Sequence, residues 1–368
     1  MSEDVTPPAG ERALGASRRT QILSAVRRYG TVRVAQLATQ FAVTPVTIRR
    51  DLDDLAEAGV VTRVHGGATV TDEPTPSVAT RRGTPATPRH GLIGMLVPSL
   101  TVYWPDIARS VESEVRRAGL RLLLHESSYS ATDERPDLDG LVDAGCVGIL
   151  AAPNMSSESG ERTRAWLREA PVPVVLVERT AVVDHYQRAV PSVISDHRLG
   201  GEMATHHLAQ LGHRRIGAVL ADTPHTKEIQ EGWERATAAL GLAPAPVAFV
   251  PNRHTAEFEP TLTAALEAFL ADGVTGLFVH SDPEAVRLAQ MAARRGTTIP
   301  QDLSVVSYDD EVAALASPPL TALRPQRQEV GRAAVALLLE RLADPARAIH
   351  RVAISPTLVV RESSRPLS

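Results

Sequence analysis

The amino-acid sequence predicts an α/β protein in which a small helical domain precedes a large domain built on parallel sheets. Its 368 residues exceed the size of one ordinary domain. Residues 71–89 are rich in Pro and Thr and almost free of large apolar side chains, which is typical of a linker. Beyond them, short apolar segments alternate with helical ones, as in parallel sheets buried on both faces. We therefore expect a disordered tail at 1–16, a head at 17–70 and a body at 90–364.

The strands and helices of the body follow from its apolar pattern. Strands are expected at 92–97, 120–124, 148–150, 172–177, 192–195, 216–220, 276–280 and 303–307. Helices are expected at 107–118, 200–211, 230–240, 262–271 and 283–295. Ligands of parallel sheets bind beyond the carboxyl ends of the strands, so polar residues at those ends are the candidates for a binding site.

The head has the pattern of a helix-turn-helix followed by a wing. Ser17 begins a helix that runs to about residue 29, and a second helix covers about 34–40. A third helix begins at about residue 45 and ends before residue 59. A strand at 60–64 followed by a His-Gly-Gly turn then predicts the wing.

The third helix has the composition of a DNA-reading surface. Ile48, Leu52 and Leu55 lie at helical spacing and are expected to pack inward. This leaves the first turns of the helix facing outward, where residues of a helix in the major groove reach base edges. The predicted DNA contacts, including two on the wing, are Thr44, Pro45, Val46, Thr47, Arg49, Arg50, Arg63 and His65. By spacing alone, a small protein-docking module with a solvated Arg pair fits equally well.

Charge is spread unevenly along the chain, whose formal net charge is -4. Residues 1–90 carry 12 Arg against 9 Asp and Glu, whereas the remainder carries 27 basic and 34 acidic residues. A basic end on an acidic body fits nucleic-acid contact confined to that end, although ordinary surface variation gives differences of this size.

Residues 22–68 resemble the DeoR-type winged helix-turn-helix. Its T-I-R-R-D-L motif is present at 47–52, and its G-hydrophobic-hydrophobic-x-R-x-H-G-G-A wing at 59–68. The resemblance implies that the head binds double-stranded DNA.

The body resembles the effector domain of the LacI/GalR repressors, a two-lobed fold similar to type I periplasmic-binding proteins. The matching segments include GLIGMLVPSL from Gly91, HHLAQLGHRRIGAVL from His206 and VHSDPEAVRLAQ from Val279. The resemblance implies two α/β lobes joined by three chain crossings, with a small effector in the cleft between them. It places lobe 1 at about 90–190 and 320–345, and lobe 2 at about 191–319 and 346–364.

The positions that match the cleft of these repressors are polar or aromatic and follow the predicted strands. The resulting effector-binding set is Ser99, Tyr103, Trp104, Glu126, Ser127, Ser128, Pro153, Glu178, Arg179, Asp196, His225, Lys227, Asp282 and Tyr308. Carboxylates accept hydrogen bonds from hydroxyl groups, Arg donates them, and an aromatic face covers the apolar side of a ring. This chemistry suits a sugar or a sugar derivative.

Several of these positions have two interpretations. Trp104 fits the cleft or the core, whereas Asp282 is expected to contact the ligand. Many sugar-binding members of the LacI/GalR repressors carry an Arg where this chain has Ile229. His225 or Lys227 is expected to take over that contact, which leaves the class of sugar open.

No catalytic, metal or cofactor site is predicted. His206 and His207 are adjacent, so they face different sides of a helix and do not form a metal pair with His213. No phosphate-binding loop, dinucleotide fingerprint or nucleophile elbow is found. The single cysteine, Cys146, lies in an apolar stretch and is expected to be a buried structural thiol. No apolar run approaches the ~20 residues needed to cross a bilayer, so a soluble, cytoplasmic protein without membrane contact is expected.

The sequence thus predicts a transcription regulator under the control of a sugar-like effector. A repressor is favoured, although the sequence does not separate a repressor from an activator. A homodimer is expected to grip an inverted-repeat operator, because its two-fold symmetry demands matching half-sites. The alternative is a sugar-binding protein or an enzyme on the same fold, with the head used for docking. Whether the protein shifts DNA discriminates the two hypotheses.

Overall fold

The computed structural model describes residues 22, 31–41, 43–57, 61–64, 67–70, 91–101, 103–155 and 157–367. Its contacts divide the chain into two compact units, 1–83 and 84–368, which we describe separately. The predicted tail at 1–16, the linker at 71–89 and all of the first helix except Ile22 lie outside the described residues.

The head combines helices with a small antiparallel sheet. Its elements are β1 (Thr31–Arg33), α1 (Val34–Gln40), α2 (Pro45–Glu57), β2 (Val61–Val64) and β3 (Gly67–Val70), with the strands in the order β1–β3–β2. Ile48, Leu52 and Leu55 are buried together with Ile22 and Leu37, as their spacing predicts. The strands β1 and β3 were not predicted, because three or four residues are too few to establish an alternating pattern.

The body contains the larger set of helices and strands. In chain order they are β4 (Leu92–Val97), α3 (Trp104–Arg117), β5 (Arg121–Glu126), α4 (Arg135–Asp143), β6 (Cys146–Ala151), α5 (Ser157–Glu169), β7 (Val174–Val177), β8 (Ser192–Ser195), α6 (His197–Gln210), β9 (Ile216–Ala221), α7 (Thr226–Ala239), β10 (Val247–Val250), α8 (Phe258–Ala271), β11 (Gly276–His280), α9 (Asp282–Arg294), β12 (Ser304–Tyr308), β13 (Thr321–Arg324), α10 (Arg327–Ala343), β14 (Arg351–Ile354) and β15 (Thr357–Val359).

These elements form two lobes, each around one six-stranded sheet. The first sheet has the order β14–β8–β7–β6–β4–β5, with every pair parallel. The second has the order β10–β9–β11–β12–β13–β15, parallel except for the last pair. Each sheet is buried on both faces: Ile93 and Met95 pack towards α3 and α10, whereas Leu96 packs towards α4.

The lobe boundaries differ from the predicted ones. The strand β8 was expected in lobe 2 but pairs with β7 in lobe 1, and β14, also expected in lobe 2, pairs with β8. Conversely, β13 was expected in lobe 1 but pairs with β12 in lobe 2. The chain therefore crosses between lobes after β8, β13 and β14. Short apolar strands look alike in sequence, and only their hydrogen-bonding partners assign them to one sheet.

Two helices of lobe 2, α6 and α7, approach so closely that glycine is required where they meet. A Cβ atom on Gly232 would lie 2.0 Å from the carbonyl oxygen of Arg198, and one on Gly201 would lie 2.3 Å from that of Ile229. The contact atoms belong to the backbone and cannot rotate away. The backbone contact fixes α6, whose first residue lies where the chain enters lobe 2.

Candidate functional site

The centre of the interface between the lobes is the buried carboxylate of Glu178. Glu178 follows β7 and has a positive φ of 55°, which turns its side chain out of the strand direction. Its Oε1 accepts hydrogen bonds from the hydroxyl groups of Tyr103, at 2.6 Å, and Ser195, at 2.7 Å. Its Oε2 accepts one from the backbone N–H of Ser195, at 2.9 Å. Burial opposes the charge, but these donors and the nearby His197 hold the pKa of Glu178 below its usual value.

Two imidazole rings of lobe 2, those of His197 and His225, lie beside this carboxylate, and a third, that of His280, contacts Tyr308. His197, the first residue of α6, stacks on His225 with ring centroids 4.0 Å apart, and its Nδ1 lies 2.9 Å from the hydroxyl of Tyr308. His280 meets the Tyr308 ring edge-on at 5.4 Å. Burial and the neighbouring His197 lower the pKa of His225 well below its usual value and that of His280 to about 3. Both rings are therefore neutral at pH 7.

Arg179 brings a buried guanidinium to the same interface. Its Nε donates to the carbonyl of Pro153 at 3.2 Å, and one terminal nitrogen donates to the carbonyl of Glu178 at 2.6 Å. That nitrogen also lies 3.3 Å from His225 Nε2, and the guanidinium is 5.9 Å from the centre of the Trp104 ring. Burial lowers its pKa. Within the described residues no carboxylate forms an ion pair with Arg179, so this donor is available to a polar ligand.

Trp104 belongs to the core of lobe 1. It is 1% exposed and packs among the apolar residues beneath α3, while its indole N–H donates to the hydroxyl of Tyr129 at 2.8 Å. Of its two interpretations, the structure favours the core one. Tyr129 is half-exposed, so it is the aromatic group of this loop that solvent reaches.

Several residues predicted to line the cleft form hydrogen bonds that stabilise loops and do not belong to the polar cluster around Glu178. Glu126 accepts a hydrogen bond from the backbone of Leu100, and the hydroxyl of Ser127 donates to Glu134. The remaining contacts of this kind join Ser99 to Thr101, Ser128 to Ser130, and the carboxylate of Asp196 to the backbone N–H of Leu199, where it caps α6. Lys227 is exposed on the first turn of α7.

Asp282 is buried within lobe 2, at the border of a cavity in this lobe. Its side chain is fully buried, and one carboxylate oxygen accepts the hydroxyl hydrogen of Ser307. The other accepts three backbone N–H groups, from Glu311 at 2.7 Å, Val312 at 3.0 Å and Ala313 at 3.1 Å. With its lone pairs used inside the lobe, Asp282 ties the loop after β12 to the start of α9. This arrangement favours a structural role over the ligand contact expected from the sequence.

The exposed side of α2 matches the predicted DNA surface. Thr44 caps the helix by accepting a hydrogen bond from the backbone N–H of Thr47, at 3.2 Å. Val46 is 68% exposed, and Arg49 and Arg50 are exposed as well. Pro45 begins α2 and Arg63 lies in β2, whereas His65 lies outside the described residues.

Comparison with known proteins identifies both parts of the chain. Residues 18–74 match the DeoR-like helix-turn-helix domain, and residues 205–364 match the periplasmic binding protein-like domain. An HTH-type transcriptional regulator in the aml 5′ region of Streptomyces limosus is 31% identical over 342 residues, which span 90% of this chain and 94% of the relative. The chain belongs to the HTH-type transcriptional regulators.

Two further proteins resemble the regulator. The arabinose metabolism transcriptional repressor of Geobacillus stearothermophilus is 25% identical over 344 residues, which span 90% of each chain. A LacI-family transcriptional regulator from Enterococcus faecium, solved with bound ribose, is 22% identical and covers 75% of this chain and 100% of its own, with a TM-score of 0.60. This likeness confirms the two-lobed fold of the body.

The site of the regulator contains residues that sequence reasoning missed. The predicted residues that meet between the lobes are Tyr103, Pro153, Glu178, Arg179, His225 and Tyr308. The additional ones are Ser195, His197, His280 and Arg327. Ser195 and His197 lie on either side of Asp196, which the sequence analysis selected for the binding site. Their position at the end of β8 could therefore have identified them as well. Arg327 begins α10, three residues after the end of β13, a strand that the apolar pattern did not predict.

His207 and His213, two of the histidines set aside in the sequence, contact different side chains. His207 lies 2.9 Å from the hydroxyl of Ser364, whereas His213 contacts Thr275 at 2.9 Å, and His206 is exposed. Cys146 is buried, as its apolar surroundings predict. Within the described residues, no helix is long and apolar enough to cross a membrane.

A cavity of about 520 Å³ opens beyond the carboxyl ends of β10, β11 and β12. Its lining is mixed, with charged, polar and apolar groups that include Arg253, Val286, Arg287, Gln290, Asp309 and Glu311. Arg327, from lobe 1, donates to the carbonyl oxygen of Asp309 through both terminal nitrogens, at 2.9 and 3.1 Å. The loop after β12 thus contributes both to this cavity and to the contact between the lobes.

Replacing Asp309 by asparagine is expected to stabilise the regulator more at high pH than at low pH. Burial, with the charge of Asp282 adding to it, raises the pKa of Asp309 to about 8. The folded state therefore favours the neutral carboxyl. Between about pH 4 and pH 8 only the unfolded chain ionises this group, so its contribution to stability falls as the pH rises. Asparagine also tolerates the positive φ of 91° at this position.

Thermal unfolding at about pH 5 and about pH 8.5 measures this effect. From the lower to the higher pH, the free energy of unfolding of the variant should rise by about 1–2 kcal/mol relative to that of the parent. The control is Asp302→Asn, at an exposed carboxylate that accepts one backbone hydrogen bond. A difference between parent and Asp309→Asn that stays constant across this pH range would contradict the raised pKa.

Proposed function

We propose that this regulator is a repressor whose hold on operator DNA is controlled by a small, sugar-like effector bound between the two lobes. The observation that carries the proposal is the polar cluster at the lobe interface. Glu178 and Arg179 come from lobe 1, and His225 and Tyr308 come from lobe 2. An effector that contacts both sides has a different affinity for open and closed arrangements, and such a difference is required for control.

The chemistry of the cluster supports a polyhydroxylated effector. The Glu178 carboxylate accepts hydrogen bonds from hydroxyl groups, as it does from Tyr103 and Ser195. The Arg179 guanidinium donates them, and neutral His225 offers a donor and an acceptor. Two similar proteins agree with this chemistry, since one is an arabinose metabolism transcriptional repressor and the other was solved with bound ribose.

We infer that the regulator acts as a homodimer in the cytoplasm, where two heads grip an inverted repeat. Two-fold symmetry of the protein then matches two-fold symmetry of the DNA. In this assignment the body binds its ligand without transforming it, so the protein is not an enzyme.

Titration of the full-length protein into labelled DNA from upstream of its own gene tests the proposal. At fixed salt, saturable binding to one sequence is expected, together with release of that DNA by one member of a panel of sugars. Binding that stays at the nonspecific level for every upstream fragment would remove the DNA-reading assignment. Specific binding that no sugar changes would remove the sugar-like effector but keep the regulator.

Substitution of Arg50 by alanine is expected to weaken operator binding by about tenfold to a hundredfold. Its side chain is exposed on α2, where it can bind a guanine edge or a phosphate. The loss should be accompanied by relaxed sequence preference for a base contact, or by a smaller salt dependence for a phosphate contact.

Arg121→Ala provides the matched control, because Arg121 is an exposed arginine on β5 of the body. Its operator affinity should equal that of the parent. An Arg50 variant with parental affinity and parental salt dependence would exclude Arg50 from the DNA interface.

A further inference from the structure

We propose that Glu178, His197 and His225 form a binding site for one divalent transition-metal ion, with Zn²⁺ as the test case. Each side chain offers one ligand atom, and these three atoms all lie within 4.8 Å of one another. They come from three separate places: the end of β7, the first residue of α6 and the residue before α7. Two imidazole nitrogens and one carboxylate oxygen are a ligand set that zinc uses in proteins.

The spacing between His197 and Glu178 suits a bridging ion better than a direct hydrogen bond. His197 Nε2 lies 3.5 Å from Glu178 Oε2, which is beyond the range of a good N–H···O bond. Two ligands that each lie about 2.0–2.1 Å from a tetrahedral ion are roughly 3.3 Å apart. The observed distance therefore leaves room for an ion between these two groups, whereas the ring of His225, which stacks on His197 at 4.0 Å, must rotate to direct its nitrogen at the ion.

His197 supplies a second, independent observation. It is 5% exposed, yet its Nε2 has no hydrogen-bond partner within the described residues. A buried nitrogen without a good hydrogen bond costs about 1–3 kcal/mol. The carboxylate oxygen nearest to His197 Nε2, Glu178 Oε2, lies 3.5 Å away, a separation that an ion between the two would fill. The other ring nitrogen of His197 is held by the Tyr308 hydroxyl at 2.9 Å, which orients Nε2 towards Glu178. An outer hydrogen bond of this kind is typical of histidines that bind metals.

The positive charge of Arg179 disfavours a cation at this site, but the contacts of Arg179 limit this effect. One terminal nitrogen of Arg179 lies 3.3 Å from His225 Nε2, whose lone pair the ion would take. That same nitrogen donates to the carbonyl of Glu178 at 2.6 Å, so Arg179 keeps a partner without His225. The carboxylate of Glu178 also balances part of the charge. Removal of Arg179 should consequently tighten metal binding.

An ion in this position would join the two lobes. Glu178 belongs to lobe 1, whereas His225 belongs to lobe 2. Three protein ligands leave the fourth position of a tetrahedral ion for water or for a ligand oxygen. The ion would thus hold the lobes at their present separation, independently of any sugar.

Equilibrium dialysis of the full-length protein against Zn²⁺ alone tests the site. One tightly bound ion per chain is expected, with a higher unfolding temperature in its presence. Glu178→Gln, which preserves shape, and His225→Ala should each weaken Zn²⁺ binding by about tenfold or more, while Arg179→Gln should strengthen it by on the order of tenfold. His206→Ala is the control, because His206 is an exposed histidine on the same helix as His197.

Co²⁺ provides a readout of geometry, since four-coordinate Co²⁺ absorbs visible light far more strongly than six-coordinate Co²⁺. A strong visible band that His225→Ala abolishes and His206→Ala retains supports the site. No stoichiometric Zn²⁺ binding, or one tight ion retained in folded Glu178→Gln and His225→Ala, would overturn it. If His225→Ala and His206→Ala lose metal binding equally, the ion binds to the protein surface, and the proposed site is overturned as well.

Discussion

Replacing Gly232 by alanine is expected to lower the free energy of unfolding of the regulator by about 1–2 kcal/mol. The new Cβ would lie 2.0 Å from the carbonyl oxygen of Arg198 and 3.0 Å from the backbone nitrogen of Glu202. Because both atoms belong to the backbone of α6, relief requires the two helices to move apart. Overpacking of this kind costs about 1–3 kcal/mol or more, which outweighs the ~1 kcal/mol by which alanine favours a helix over glycine.

Gly140→Ala measures the preference of a helix for alanine over glycine without the clash between helices. Gly140 also lies in a helix, α4, but a Cβ there would meet only His125 Cε1, at 3.9 Å. Alanine should therefore stabilise this position by about 0.5–1 kcal/mol. Denaturant unfolding of both variants checks the pair. Equal stabilisation by both substitutions would show that α6 and α7 separate at little cost.

Replacing Asp282 by alanine is expected to cost about 3 kcal/mol or more. The substitution leaves the N–H groups of Glu311, Val312 and Ala313 and the hydroxyl of Ser307 without their common acceptor. A buried donor that loses its acceptor is left with its full desolvation penalty, about 1–3 kcal/mol, and no compensating hydrogen bond. The loop after β12 should then detach from α9, and the cavity beside it should change shape.

The same variant separates two roles for Asp282. A residue that only contacts the effector would leave the unfolding temperature unchanged and abolish the response to sugar. A structural residue would lower the unfolding temperature with or without sugar, and Asp282→Asn, which keeps one acceptor oxygen, should lie between alanine and the parent. Unfolding curves of both variants, compared with Asp302→Ala at an exposed carboxylate, decide between the roles.

Much of the fold could be predicted because the buried strands are bounded by polar residues. Leu92–Val97, Ser192–Ser195 and Gly276–His280 begin and end as the apolar pattern indicates. Helix starts in the body were placed late by one to four residues, as at Trp104, because first turns are often polar and lie outside the apolar periodicity. Strands β14 and β15 were not expected, since their side chains are largely exposed at sheet edges.

The site could be predicted only in part. Residues at strand ends, such as Glu178 and Tyr308, follow from the rule that parallel sheets bind ligands at their carboxyl edges. The meeting of His197 with Glu178 depends on how two lobes pack, which no local pattern encodes. Asp282 was assigned to the ligand because a strand-end carboxylate looks the same in sequence whether it faces a cleft or a loop.

The three chain crossings also constrain how the protein is made. β14 forms one edge of the first sheet, and β15 forms one edge of the second. Both strands follow α10, the helix that covers the first sheet, so each sheet is completed only after that helix has been synthesised. Neither lobe is therefore a contiguous piece of chain that can be expressed alone, and a premature stop before residue 351 leaves both sheets one strand short.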